Sequence, residues 1–409
     1  MKRRLAILGG TTTWSDCLVA LRHLATPSSL VEGEQIEEFE TSFARETEAL
    51  FAHTFWAGRV GLFAILKGLG IGEGDEVLVP VPTHVVVPNA VRYTGAKPVY
   101  VDCRLEDYNM DLARASELVT DRTRALVLQH TFGIPGDLDG ALELGERHGL
   151  HVIEDCVHSL GARYRGRPVG SYGRAAFFSI EETKIISSTM GGVAVTRDPA
   201  LAAEVGRFQA SCAPLAKRVA ASYMTKLVAY HVLTQPYLHQ YTRPVYDALG
   251  RRHPFPRPTA RTEQRGLRPP DYERTLGNAQ AAVALRQLRR LDENIAHRRK
   301  IADVYRNRLE PTDVRVPHPP PHVDPAYVRY PVWVEDRAAA VRAISTRAVA
   351  GVWFESVLSE SEAPEYAGYE PGSCPNAELS AKHLVNLPTH LRVTAEDAEA
   401  IANAVADVT

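Results

Sequence analysis

From Gly58 to about residue 200, short runs of β-branched and other apolar residues alternate with longer stretches whose apolar positions recur at helical spacing. The runs 77–79, 99–102, 125–129, 152–155, 175–179 and 192–196 predict strands, and the stretches 85–93, 111–119 and 137–148 between them predict helices. Each of the first three gaps has room for one helix and two loops, as a right-handed βαβ crossover requires. The last two strands lie too close for a crossover helix, so they either pair antiparallel or bracket a functional loop. The predicted class is α/β, with a mostly parallel central sheet flanked by helices.

Outside this region the pattern changes. Ile36, Phe39, Phe43 and Leu50 are spaced for one apolar helix face in an N-terminal arm, 1–57. Residues 213–270 interrupt the alternation with a Tyr/His/Leu-rich stretch, 223–246. The basic, Pro-rich run RRHPFPRPTARTEQRGLRPP follows and reads as a linker or exposed loop with solvated charges. A long helix is predicted from 278 to about 309, with Ala281, Leu285, Leu288, Leu291 and Ile295 on its apolar side. Beyond a Pro-rich break at 316–325, a strand at 329–334, a helix at 338–344 and a last helix at 395–408 opened by Thr394 predict a smaller C-terminal α+β domain. The expected division is an arm at 1–57, a large α/β domain at 58–270 with an insertion at about 213–270, and the long helix with the small domain at 271–409.

Composition narrows the partners. Of 409 residues, 47 are Lys or Arg and 49 are Asp or Glu, a net charge of −2 that offers no basic field to nucleic acid or an acidic membrane surface. Cys17, Cys103, Cys156, Cys212 and Cys374 form no CxxC pair and no zinc-spaced cluster, which predicts reduced thiols in the cytoplasm and no metal. The start MKRRLAILGG lacks the roughly 7–15 apolar residues of a secretory segment. Lysines are so few that lysine chemistry is easy to locate: Lys2, Lys67, Lys97, Lys184, Lys217, Lys226, Lys300 and Lys382.

Asp155 closes an apolar strand at its C-terminal end, where open α/β sheets place ligands; alone it reads equally well as a helix cap or a loop ion pair. Lys184 lies some thirty residues on, after the strand ending FFS and before a Ser/Thr-Gly-Gly turn; alone it reads as a solvated lysine. Together they meet the needs of a pyridoxal phosphate (PLP) site. A carboxylate keeps the ring nitrogen protonated, so that the ring withdraws electrons, and a lysine forms the Schiff base and moves the proton. Gly58 opens a predicted helix whose N-terminus offers N–H groups to a phosphate, and Ser179 adds a hydroxyl. His84 is placed to stack on a ring, and His158, one helical turn after Asp155, to bond a ring substituent; a packed structural histidine is the plainer reading of each. The glycines of GIGEGDEVLVP form no GxGxxG between strand and helix, and neither HExxH nor GxSxG occurs, so a dinucleotide fold, a zinc hydrolase and an α/β-hydrolase have no support.

Several blocks carry a resemblance. GIGEGDEVLVP, GAKPVYVDCRLEDYNMD, TFGIPGDLD, HGLHVIEDCVHSLGARYRGRPVG, FFSIEETK leading to MGGVAVT, QAAVALRQLRRLDENIAHRR and NLPTHLRVTAEDAEAI are together similar to the DegT/DnrJ/StrS sugar aminotransferases, across about residues 33–405. The resemblance implies a fold-type I PLP enzyme that is usually a homodimer. In it Lys184 is the Schiff-base lysine and Asp155 the pyridinium partner. His158 lies near the ring hydroxyl, His84 stacks on the ring, and Ser179 with the backbone of Gly58 and Arg59 binds phosphate. It further implies a transaminase whose cofactor cycles between PLP and pyridoxamine 5'-phosphate, with L-glutamate or glutamine as donor and a keto-sugar or related cyclic ketone as acceptor. The product would be an amino sugar for a polysaccharide or secondary metabolite.

The departures are local. Arg59 stands where Thr is common and is able to pair with phosphate or an acidic substrate. Met190 replaces an acid before the double glycine. Glu181 and Glu182 stand where His and Pro are frequent, and an acid beside Lys184 favours its ammonium form; both are expected to point elsewhere. DYERTLGN replaces an Asn-Tyr-Arg block. Tyr108, Asn109 and Tyr330 are the candidates on the substrate side. Two alternatives stand beside transamination: a PLP-dependent dehydratase or other PLP reaction, and a non-catalytic regulator with the same fold. The family's sugar dehydratases carry His in place of the lysine, and a DNA-reading regulator needs a helix-turn-helix and a basic face.

Overall fold

The computed structural model of the chain describes residues 3–7, 10–249 and 258–409. Residues 251–257 of the Arg- and Pro-rich run lie outside them. Helices α1 (Trp14–Ala25) and α2 (Gln35–Glu46) lead into strand β1 (Phe51–Phe55) and helix α3 (Gly58–Gly68). The alternating region then gives β2 (Glu76–Pro80), α4 (Val86–Tyr93), β3 (Lys97–Val101), α5 (Leu112–Glu117), β4 (Thr123–Gln129), α6 (Leu138–His148), β5 (His151–Asp155), β6 (Ala175–Ser179) and β7 (Gly192–Thr196). Asp111 and Asp137, the residues before α5 and α6, accept backbone N–H bonds from the first turn, which is why those helices begin where they do.

The seven strands form one sheet in the order β1-β7-β6-β5-β4-β2-β3. The pairs β3/β2, β2/β4 and β4/β5 are parallel, as the crossover helices require, and β5/β6 is parallel through a connection without a helix. β6/β7 and β7/β1 are antiparallel, so the two closely spaced strands both pair and bracket a loop. β1 was not anticipated in the N-terminal arm. Its register against β7 sets Phe55 opposite Gly192, and Gly192 stands opposite Ser179. Leu50, expected on the α2 face, lies beyond the end of that helix and is exposed.

Alternate side chains of the parallel strands enter cores on opposite faces. Val77 and Val79 join α3 and α4 on one side, and Leu78, Leu126 and Leu128 join α2 and α6 on the other. Burial on both faces explains the near-continuous apolar runs, and each large side chain so buried contributes about 1.5–3 kcal/mol.

After α7 (Pro199–Ser211), the insertion forms α8 (Lys217–Leu233) and α9 (Pro236–Leu249). The buried residues Tyr223, Met224 and Leu227 fix α8 in the core it shares with Cys17 and Ala20 of α1. Residues 258–270 do not behave as a solvated run throughout. A single turn, Arg261–Gln264, carries a fully buried Glu263.

The predicted long helix is two, α10 (Asn278–Leu288) and α11 (Leu291–Leu309). They break at Arg290, whose guanidinium is tied to Asp16 and Thr13. α10 packs in the large core, and α11 runs on into a separate core with β8 (Tyr330–Trp333), α12 (Arg337–Ile344), β9 (Leu384–Leu387) and α14 (Ala395–Ala406). α13 (Pro375–His383) precedes β9, and Thr394 caps α14 with a reciprocal bond to Asp397. No helix among the described residues is long and apolar enough to cross a membrane.

Candidate active site

The carboxyl ends of β4, β5 and β6 open onto a cavity of about 400 Å3, at the edge where parallel sheets bind ligands. The strand register sets Gln129, Asp155 and Phe177 abreast at its floor. Gly58, Arg59, His84, Asp155, His158, Ser179 and Lys184 all line it. These are the seven residues anticipated for cofactor and catalysis, and the fold brings them to one place.

Lys184 sits in the loop between β6 and β7, which is fastened from several sides. Gln287 pairs with both backbone groups of Ser187 at 2.8 Å, Gln280 donates to the Met190 carbonyl at 2.6 Å, and Asn294 donates to that of Ile185 at 2.7 Å. From the insertion, the Tyr223 carbonyl accepts the Thr189 hydroxyl at 3.1 Å. The helix pair α10–α11 is therefore the frame of the loop that carries Lys184. Burial pulls the Lys184 ammonium down to about 8, against the opposing charges of Glu181, Asp155 and Glu360.

Asp155 is fully buried. Its Oδ1 accepts the Val157 N–H at 3.1 Å, and its Oδ2 has no partner. Desolvation pushes the carboxyl up to about 6, with that N–H and the Lys184 charge holding it back. His158 stacks on Trp353 at 4.9 Å, and its Nδ1 is buried without a partner. Desolvation and the nearby Lys184 and Arg329 hold it well below the ordinary imidazole range, so it is neutral.

Two glycines shape the end of the cavity where phosphate binding was anticipated. A Cβ on Gly192 would fall 2.2 Å from the Gly58 nitrogen, and one on Gly58 would fall 2.9 Å from the Phe178 carbonyl oxygen. Their bare backbones let α3 press its N-terminus against the ends of β6 and β7, beside Ser179. Ala57, at the cap, gives no side-chain bond to the first turn, so that turn presents unsatisfied N–H groups with the helix dipole behind them.

Arg59 departs from expectation. Its Nε lies 2.7 Å from Glu263, and it donates to Glu263 and to the Pro258 carbonyl at 3.0 and 2.8 Å, over the Trp56 ring. The guanidinium is committed to anchoring the 258–264 segment, which leaves the Arg59 backbone for an anion. Glu182 is drawn away from Lys184 by Lys226 of α8 at 2.6 Å, and Glu181 accepts the Thr183 hydroxyl at 2.8 Å; both nevertheless line the cavity wall.

The substrate-side candidates are not brought to the cavity. Tyr108 is packed edge-on to Phe132, and Asn109 fixes the 131–135 loop through Thr131, Ile134 and Pro135. Tyr330 is buried between Tyr305 and Tyr327 in the core that α11 shares with β8 and β9. In their place stand Arg329, Trp353 and Glu360. A short parallel pairing of Thr83–His84 with Leu358–Ser359 brings Glu360 to His84, 3.6 Å from its Nε2. The Val86 N–H donates to His84 Nδ1 at 3.3 Å, so the ring proton is on Nε2, toward that carboxylate. Only the tertiary meeting of segments far apart in sequence assembles this wall, and no local motif marks it.

The residues fit the PLP that the resemblance implied. One orphaned carboxylate oxygen, one orphaned imidazole nitrogen, an uncapped helix N-terminus and a lysine with a depressed pKa share a single cavity. Comparison with known proteins agrees. The family model of the DegT/DnrJ/EryC1/StrS aminotransferases matches residues 15–406. GDP-perosamine synthase of Caulobacter vibrioides is 30% identical over 381 residues, which is 92% of this chain and 90% of that one. The dTDP-3-amino-3,4,6-trideoxy-alpha-D-glucose transaminase of Streptomyces venezuelae is 32% identical over 360 residues, or 87% and 82%. The crystal structure of S. venezuelae DesV in complex with a ketimine intermediate is 27% identical with a TM-score of 0.73, covering 100% of this chain and 98% of that one.

Proposed function

Because the chain belongs to the DegT/DnrJ/EryC1/StrS aminotransferase family it is a PLP-dependent aminotransferase, and we propose that it moves an amino group from L-glutamate or glutamine to the keto group of a nucleotide-linked sugar. The observation that carries the reading is Asp155 Oδ2, buried without a partner in the cavity that Lys184 also lines. A buried carboxylate oxygen left unmatched is costly, and a protonated ring nitrogen is its complement.

Bound PLP supplies an electron sink for the pair left behind when a proton leaves the carbon that bears the amine. Asp155 Oδ2 would hold the proton at the ring nitrogen, and His158 Nδ1 would meet the ring hydroxyl. The first-turn N–H groups of α3 with Ser179 Oγ would hold the phosphate, and His84 would lie against the ring. Lys184 Nζ is the base. With a pKa of about 8 it keeps a usable free-amine fraction near neutrality and still returns a proton readily. It takes the proton from the donor's α-carbon in the first half-reaction and delivers one to the former carbonyl carbon of the acceptor in the second. Trp353 and His158, stacked on each other, close one side against water. Both substrates use the same cavity in turn, so the 2-oxo acid leaves before the ketone enters.

The nucleotide-linked acceptor is supported by the relatives, one a GDP-perosamine synthase and one a dTDP-sugar transaminase. A homodimer belongs to the same reading, supported by Trp14, Leu18 and Leu21, which are exposed along one face of α1. A cytoplasmic setting is supported by five buried cysteines, all free thiols. The test is incubation with L-glutamate and a panel of GDP- and dTDP-linked keto-sugars. Equal amounts of 2-oxoglutarate and an amino sugar are expected. Release of 2-oxoglutarate with no ketone accepted would contradict the acceptor class.

A further inference from the structure

Glu360, on the cavity wall, stands on a strained backbone. Its φ of 63° lies in the left-handed region, which a non-glycine residue rarely enters without compensation. The surroundings hold it there. The Glu355 carboxylate accepts the Glu360 N–H at 2.9 Å and the Ser359 hydroxyl at 2.5 Å, and the Ser361 N–H closes the turn on the Leu358 carbonyl at 3.1 Å. Glycine or asparagine is the ordinary occupant of such a turn position. A glutamate kept there points to a use for its side chain.

That side chain is about half open to the cavity, and its Oε2 lies 3.6 Å from His84 Nε2. It also faces the hydroxyl of Thr259, a buried residue of the segment that Arg59 anchors. Desolvation raises the Glu360 carboxyl, but the proximity of His84 and Thr259 outweighs it and holds the group down to about 2, so it is ionised. His84 is fastened to the same C-terminal segment through the backbone on either side of it. The Thr83 N–H donates to the Val357 carbonyl at 3.0 Å and the Val85 N–H to the Ser359 carbonyl at 3.1 Å, with His84 and Ser359 in register. The Val86 N–H meets the imidazole at Nδ1, and Glu360 faces it at Nε2. An imidazole met at both nitrogens has one preferred orientation, whereas one met at Nδ1 alone is free to tilt.

We propose that Glu360 is a positioning residue, which clamps the His84 ring at Nε2 and so fixes the face against which the cofactor ring lies. The proposal rests on the placement of His84 in the reading above. Glu360 acts on the cofactor through His84 and not by contact with it. Glu355 sets the backbone of Glu360, Glu360 sets the imidazole, and the strain at Glu360 is the cost of aiming its carboxylate at Nε2.

The experiment is calorimetric titration of the cofactor-free protein with 4'-deoxypyridoxine 5'-phosphate, which has the cofactor's ring and phosphate but no aldehyde to react with Lys184. Glu360→Asn tolerates the left-handed backbone and draws its oxygen one methylene away from Nε2. It is expected to weaken the analogue about fivefold, the scale of one hydrogen bond, and to leave the melting temperature unchanged. Glu360→Gln, which keeps the length and an oxygen for the Nε2–H, should bind as the wild type does. With His84→Phe in place, Glu360→Asn should have no further effect. Equal weakening by Glu360→Asn in both backgrounds, or a loss that follows a fall in melting temperature, would give Glu360 a direct or structural role and overturn the proposal. Unchanged affinity in Glu360→Asn with His84 present would also overturn it. The underlying reading fails separately: His84→Ala binding the analogue as tightly as the wild type would remove His84 from the ring, and the proposal with it.

Discussion

Lys226, on an inserted helix, ends 2.6 Å from Glu182, two residues before Lys184. The pair answers the difficulty that an acid so near the lysine posed, because the carboxylate is engaged by a second cation. Both side chains are largely covered, at 3% and 12% exposure, and desolvation with the neighbouring Glu181 pushes Glu182 up to about 7 despite Lys226. Breaking a buried pair from one side leaves an uncompensated charge, at about 3–5 kcal/mol. Lys226→Met and Glu182→Gln should each lose stability on that scale in urea denaturation at pH 8, and the double variant should recover part of it. Additive losses in the double variant would show that the two do not interact.

Asp155 sets function against stability. Its folded pKa, about 6, lies above its ordinary 3.8. A carboxyl raised in this way favours the folded state fully below the lower value, and that contribution is lost as pH rises through the higher one. In the cofactor-free protein Asp155→Asn should therefore raise the melting temperature at pH 7.5 and change little at pH 4. The same variant should hold PLP at least tenfold more weakly and transfer amine on the order of a hundredfold more slowly. Wild-type rates would remove Asp155 from the mechanism.

The depressed pKa of Lys184 is directly measurable. In the cofactor-free protein, labelling by trinitrobenzenesulfonate followed by peptide mapping should give a midpoint near pH 8 for Lys184. A lowered pKa exposes the free amine earlier as pH rises, so Lys184 should label at lower pH than a free lysine side chain does. A Lys184 midpoint above pH 10 would contradict the desolvated site.

Arg59 and Glu263 form the other buried pair at the cavity. Arg59→Met should destabilise by about 3–5 kcal/mol and loosen the 258–264 segment to proteolysis. Its affinity for inorganic phosphate should stay within twofold, because the guanidinium is held by Glu263 and Pro258 and the anion contacts proposed above are those of the α3 backbone. A selective loss of phosphate binding with unchanged stability would return the guanidinium to the phosphate site.

How far the sequence disclosed this molecule depended on whether a feature is local. The βαβ strands were legible because a parallel strand buried on both faces reads as an unbroken apolar run, and Asp111 and Asp137 marked their helix starts. Asp155 and Lys184 were legible through strand position and spacing, reinforced by family resemblance. β1 was missed because Phe51–Phe55 carries His53 and Thr54 and gains strand character only beside β7. The break at Arg290 depends on Asp16, far away in sequence. That Tyr108, Asn109 and Tyr330 pack away from the cavity was not legible, because an aromatic or amide near a ligand block reads the same whether or not it is buried in a core. Arg329, Trp353 and Glu360 were passed over because separate C-terminal segments bring them to the cavity.

The central claim is that Lys184 and Asp155 make one PLP-binding transaminase site. It is tested most directly by the visible absorption spectrum of the PLP-loaded protein before and after L-glutamate, alongside Lys184→Ala. The account predicts a lysine-linked cofactor band in the wild type that glutamate converts, with release of 2-oxoglutarate. It predicts neither the band nor the conversion in Lys184→Ala, which should keep its fold. A band that persists in Lys184→Ala, or a wild type that forms none with PLP, would contradict it.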